Sequence, residues 1–158
     1  MNIEWDKLGF EFRPTKSNIR ATYADGQWGE LRVHDDYSIT MSVAANCMHY
    51  GQAIFEGMKA FRMKDGHIGV FRPDCNAERF ARSAARLLMP PVPEEMFLEA
   101  IRRVVLDNEA YVPPYDTDGS LYIRPVMFGT SAQIGVSPSE TYEFVMMVVP
   151  AGKVLTCL

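Results

Sequence analysis

The spacing of apolar residues changes period along this chain, and each change predicts a different element. Residues 17–34 alternate loosely, with Ile19, Ala21 and Tyr23 on one face, and turn at Asp25-Gly26, which predicts a hairpin. Tyr37–Met41 alternates more cleanly and predicts a strand. Phe55–Arg62 and His67–Phe71 flank Lys64-Asp65-Gly66, where glycine tolerates the positive φ of a tight turn, and so predict a second hairpin. The period then lengthens. From Asp74 to Met89, Phe80, Ala84, Leu87 and Leu88 recur at helical spacing, between the start signals Pro73-Asp74 and the stop signal Pro90-Pro91. A second helix is expected from about Pro93, with Phe97, Ile101, Val104 and Val105 inward, until Pro113-Pro114 ends it. Asp116–Gly119 reads as a loop, and Leu121–Phe128 and Tyr142–Val149 as apolar strands. Strands, then two helices, then strands predict an α+β fold, with an antiparallel-rich sheet and the helices grouped on one side.

Composition narrows the function classes. The 158 residues suffice for one domain with a true core, and no repeat, low-complexity tract or Gly/Ser linker divides them. A net charge of -4, with no lysine and arginine cluster, offers no field for nucleic acid or an anionic membrane. Three widely spaced cysteines, Cys47, Cys75 and Cys157, argue against a disulfide framework and for a reducing cytoplasm. The start, MNIEWDKLGFEF, lacks the apolar run of a signal peptide. Residues 37–55 carry no charge other than that of a histidine, but they include Ser38, Thr40, Ser42, Asn46, His49 and Gln52, too polar for hydrocarbon. A buried or cleft-lining segment is expected there.

Candidate chemistry is sparse and local. Arg79, Arg82 and Arg86 lie opposite the apolar stripe of the first helix. They form either a solvated face or, where one guanidinium fork is aimed at an anion, a phosphate contact. Tyr122 and Arg124 stand two apart in an apolar run, so a strand aims both at one face. An arginine there pairs with a carboxylate of the protein or awaits one from a ligand. Tyr50 and Phe55 are core aromatics or, beside Gly51 and Gly57, walls of a site where backbone comes close. His34, His49 and His67 are isolated, with no metal-ligand spacing and no nucleophile elbow, so no metal is expected. Cys47 and Cys75 read as structural.

The run His49-Tyr50-Gly51-Gln52-Ala53-Ile54-Phe55-Glu56-Gly57-Met58-Lys59-Ala60-Phe61-Arg62 and the run Ser120-Leu121-Tyr122-Ile123-Arg124-Pro125 carry a specific likeness. Together they resemble the small N-terminal domain of branched-chain aminotransferases, pyridoxal-phosphate enzymes of the fold-type IV group, over about Leu8–Val149. The resemblance implies a small domain over 1–150 and transamination of leucine, isoleucine or valine with 2-oxoglutarate in a cytoplasmic homodimer. It assigns the cofactor phosphate to Arg79, within Asn76-Ala77-Glu78-Arg79-Phe80, and leaves Arg82 and Arg86 as solvated. It places Tyr122 and Arg124 near the substrate carboxylate. Tyr50 and Phe55 become walls of an apolar pocket, with Tyr50 reaching across the dimer interface. Val136, in the loop Gly129–Val136, becomes a substrate contact.

The family lysine that holds the cofactor as a Schiff base is expected beyond Leu158, since Lys59, Lys64 and Lys153 do not match it. Residues 151–158 read as an atypical or truncated tail, with the large catalytic domain absent, so the chain is expected not to transaminate alone. The remaining alternatives are the small domain of a D-amino acid aminotransferase or an aminodeoxychorismate lyase, and a non-catalytic dimerisation or binding module.

Overall fold

A computed structural model describes residues 3–152. Eight strands form one sheet: β1 (Asn18–Ala24), β2 (Gln27–Trp28), β3 (Arg32–His34), β4 (Ala53–Phe55), β5 (Met58–Arg62), β6 (Ile68–Val70), β7 (Ser120–Gly129) and β8 (Tyr142–Ala151). Its main order is β2-β1-β8-β7-β5-β6, with β3 on β1 and β4 on β7, and every pairing is antiparallel. Three helices complete it: the short α1 (Asn46–Tyr50), then α2 (Pro73–Arg86) and α3 (Glu94–Asp107).

The spine is the β7–β8 pair, in register from Ser120↔Ala151 to Gly129↔Tyr142. Along β7 burial alternates from Leu121 onward: Leu121, Ile123 and Met127 face α2 and α3, whereas Tyr122, Arg124 and Val126 face the other way. The core fills the helix side. Phe80 of α2, Phe97 of α3 and Phe144 of β8 meet with ring centroids 5.4, 5.8 and 6.1 Å apart. Burying aromatics of this size, together with the aliphatic residues around them, holds the layers together. The α+β class with its helices on one side therefore stands.

Several local expectations are corrected. No strand forms over Tyr37–Met41. Both edges of β1 are taken, by β8 on one side and by β2 and β3 on the other, so the segment finds no free ladder. Side chains hold it instead: buried Arg20 donates to the carbonyls of Asp36 and Ser38, and the Tyr37 hydroxyl donates to that of Ser17 at 3.0 Å. The strand expected from Phe55 is interrupted. β4 and β5 share one register on β7, broken at Glu56-Gly57 opposite Pro125 and Arg124. The Glu56 N–H donates to the Pro125 carbonyl at 3.0 Å, but proline has no N–H to return, and the ladder lapses.

Leu87 and Leu88, expected inward, are 41% and 72% exposed. The helix ends at Arg86 because Met89 precedes Pro90, where helical backbone is disfavoured. The Leu88 N–H bonds the Ala85 carbonyl and the Met89 N–H bonds that of Ala84, a Schellman closure with Leu88 at φ 56°. Met89 turns inward in their place. The second helix also stops earlier than expected. The buried Asn108 amide donates to the carbonyls of Val104 and Ser17 and accepts from the Ser17 N–H, and a single 3-10 turn, Glu109–Tyr111, follows. The tail expectation, from Lys153 onward, lies outside the described residues.

A leucine in the left-handed region carries a strain of about 1–2 kcal/mol that glycine relieves, partly offset by glycine's greater unfolded-state freedom. Leu88→Gly is expected to raise stability by about 0.5–1 kcal/mol in urea unfolding. A loss of stability would contradict this account of the helix end.

Candidate functional site

Three of the six candidate residues, Phe55, Tyr122 and Arg124, gather on the open face of the β4–β5–β7 junction, and a fourth, Arg79, comes to the junction from the helix side. Phe55 ends β4 next to Val126, so its ring lies on the face opposite the helices and is 64% exposed. Tyr122 and Arg124 stand on that face of β7, and Lys59 is the cross-strand neighbour of Tyr122. The Arg124 Nε–H donates to the Tyr122 hydroxyl at 3.1 Å, and its guanidinium carbon lies 4.6 Å from the Phe55 ring centroid. Aromatic faces are attractive seats for this cation. Among the described residues, no carboxylate forms an ion pair with Arg124. Of the two fates open to that arginine, internal pairing is therefore not the one seen.

Glycine makes the arrangement possible. A Cβ on Gly57 would collide with the Tyr122 hydroxyl and lie 3.0 Å from its Cζ. The N-terminal segment closes the opposite side, with the Phe10 ring packed edge-on to Tyr122 at 4.8 Å. The resulting cleft, lined by Phe10, Glu11, Phe12, Tyr122, Arg124, Met147 and Val149, holds about 130 Å³. A complete small-molecule site is typically about 300–1,000 Å³, so this cleft by itself is smaller than such a site. Sequence reasoning missed Phe10, Phe12, Met147 and Val149. The last two were visible as alternate positions of β8, but the N-terminal pair carried no periodic signal.

Arg79 reaches the same junction from α2. Its Nε and Nη2 donate to Glu56 Oε1 and Oε2 at 3.1 and 2.9 Å, and Asn76 Nδ2 donates to Oε2 at 2.8 Å. Burial pushes the Glu56 carboxyl up, but the hydrogen bonds from Arg79 and Asn76 and the nearby positive charge outweigh it, leaving the group below its ordinary range. Arg82 lies 3.9 Å from Glu78 on the exposed side of α2, and Arg86 is exposed as well. The solvated reading holds for both.

Tyr50 and Val136 do not join this cluster. They line a separate depression with Gln52, Leu87, Ser137 and Pro138. Gly51, at φ 63°, ends α1 in the left-handed conformation that glycine adopts freely. The Tyr50 hydroxyl donates to the Ile134 carbonyl, Asn46 Nδ2 to that of Ser137 at 3.0 Å, and the Ser139 N–H to Gln52 Oε1 at 2.9 Å. These bonds tie the 130–139 loop to α1, while Val136 stays 88% exposed. Among the described residues, no group of three or more His, Cys, Asp or Glu is placed to hold a metal.

Residues 53–155, most of the chain, match the family described as amino-transferase class IV. The chain belongs to that family. Within it, the sequence is 40% identical over 151 residues to a branched-chain-amino-acid aminotransferase of Haemophilus influenzae, covering 96% of this chain and 44% of that protein. It is 39% identical over 151 residues to the enzyme of the same name from Helicobacter pylori, again covering 96% of this chain and 44% of that protein. Among solved structures, the branched-chain aminotransferase of the archaeon Thermoproteus uzoniensis with norvaline is similar in fold (TM-score 0.66, 26% identity, 87% of this chain and 43% of that one). So is a T.th. branched-chain aminotransferase with pyridoxamine 5'-phosphate (TM-score 0.65, 26% identity, 90% of this chain and 43% of that one). This class IV aminotransferase chain thus spans under half the length of the relatives it matches. Among its described residues, no helix is long and apolar enough to cross a membrane.

Gly57→Ala is expected to unseat the Tyr122 ring and break its bond with Arg124. NMR contacts between the Tyr122 and Phe10 rings would be lost or moved; unchanged ring contacts would show that Gly57 is not what seats the tyrosine.

Proposed function

We propose that these residues form the N-terminal part of a pyridoxal-phosphate branched-chain aminotransferase, which moves the amino group of leucine, isoleucine or valine to 2-oxoglutarate. The observation that carries this reading is Arg124: a guanidinium at a cleft, seated on aromatic rings, with no internal carboxylate partner among the described residues. A carboxylate is the ligand such a group is prepared for, and Phe10, Phe12, Met147 and Val149 around it suit an apolar side chain. Each buried methylene adds about 0.8 kcal/mol, which favours branched substrates over smaller ones.

The donor chemistry of Arg79 fits a phosphate monoester. Its Nε and Nη2 are engaged by Glu56, Nη1 has no partner among the described residues, and the side chain is 49% exposed. Pyridoxal phosphate, when bound, supplies the electron sink for transamination. The chain's own residues hold and orient: Arg79 the phosphate, Arg124 with Tyr122 the substrate carboxylate, Phe55 an apolar wall. Tyr50 and Val136 lie in their own depression, which supports their service to a second copy of the chain in a homodimer. The exposed Ile134, Leu87 and Leu88 give that region an apolar character suited to a partner surface. The free thiols of Cys47 and Cys75 suit a cytoplasmic setting.

Carboxylate capture is testable on this chain directly. NMR titration with 4-methyl-2-oxopentanoate should give shifts around Tyr122 and Phe55, and Arg124→Ala should weaken binding by about tenfold or more. Equal binding by both forms would overturn the assignment. Assayed alone with leucine, 2-oxoglutarate and pyridoxal phosphate, the chain should show no turnover, because the covalent lysine is assigned outside these residues. Measurable transamination would overturn that clause, and a preference for D-amino acids would point to another branch of the family.

A further inference from the structure

Glu56 stands at the one interruption of the β4–β5 line, and its surroundings restrain it on three sides. Its N–H is held by the Pro125 carbonyl at 3.0 Å. Asn76, buried on α2, donates both to Glu56 Oε2 at 2.8 Å and to the Gly57 carbonyl at 3.3 Å, so side chain and backbone are pinned by one amide. The Arg79 guanidinium closes the set with two parallel bonds. The exposures are unequal: the Glu56 side chain is 15% exposed and that of Arg79 49%. The carboxylate is thus the anchored member and the guanidinium the presented one.

Geometry decides what is presented. A two-bond fork through Nε and Nη2 takes one edge of the planar guanidinium and leaves the edge formed by Nη1 and the outer Nη2 hydrogen. That second edge is itself a two-donor fork, and it points away from the carboxylate that holds the first. An unrestrained arginine loses rotamer freedom when it captures an anion; one clamped on folding has lost it already.

We infer that Glu56 is a positioning residue for anion capture: it fixes Arg79 with its outer edge toward a phosphate monoester and stays paired while the anion is bound. This rests on the reading of Arg79 as the phosphate anchor. The competing role would be a surrogate anion that must leave before phosphate enters. The Asn76 bond to Glu56 Oε2 argues against departure, since a carboxylate leaving Arg79 would give up that contact as well as the two-bond fork.

The test compares dissociation constants for pyridoxal 5'-phosphate and pyridoxal on the whole chain, so that the ratio isolates the phosphate. Arg79→Ala should abolish the phosphate preference. Glu56→Gln replaces one acceptor oxygen by a donor amide; it should lower the preference by about tenfold, the low end of what loss of an orienting partner costs at metal sites. Pyridoxal binding itself should not change. If the wild type shows no phosphate preference, or Arg79→Ala keeps it, the anchor reading falls and this inference with it. If Arg79→Ala loses the preference while Glu56→Gln keeps or raises it, the inference alone falls. A measurement on the wild type covers the case in which Glu56→Gln does not fold. The Arg79 Nε–H resonance should remain restrained and hydrogen-bonded when inorganic phosphate is titrated to saturation; its release would assign Glu56 as the competitor.

Discussion

The register of β7 against β8 governs almost everything else in this chain. Once Leu121 faces the helices, the period of two sends Tyr122 and Arg124 to the other side, and the long pairing with β8 leaves no freedom to slip. A slip by one residue would bury the guanidinium against Phe80 and Phe97 and expose the core, at a cost no local interaction could offset. Pro125 sits inside that same ladder and adds a second constraint. Its missing N–H falls on the side of β4 and β5, not of β8, so the strong pair stays whole and the weaker line opens at Glu56-Gly57. That opening frees Glu56 to meet α2 and gives Tyr122 the space above Gly57.

The two candidate arginines are held differently, and the difference follows from their supports. Arg124 projects from a strand onto aromatic faces, which attract a cation without neutralising it, and it keeps its charge available for a ligand. Arg79 projects from a helix into a carboxylate fork, which fixes its plane at the expense of some of its field. Under the proposed function, the first would serve a ligand that is exchanged and the second a group that is held.

The separation of Tyr50 and Val136 from Arg124 is a feature of the chain fold. α1 and the 130–139 loop are bonded to each other through Asn46, Gln52 and Tyr50 and form a unit of their own, capped by Gly51. Contacts of this kind tie residues more than eighty positions apart, and no short-range pattern announces them.

From the sequence by itself came whatever depends on near neighbours. The alternation of β7 and β8, the hairpin turn at Asp25-Gly26, the inward faces of Phe80 and of Phe97, Ile101 and Val104, and the pairing of Tyr122 with Arg124 all follow from periods of two or of three to four residues. What the tertiary structure alone decided depends on competition for partners. Tyr37–Met41 has the pattern of a strand but no edge to join, because β1 is already paired on both sides. Leu87 and Leu88 continue the apolar stripe of α2, yet the prolines that follow end the helix before they can use it. Glu56 reads as one more charge in a motif until α2 brings Asn76 and Arg79 against it. Local periodicity sets which way a side chain points; which groups remain to be met there is settled only when the elements have packed.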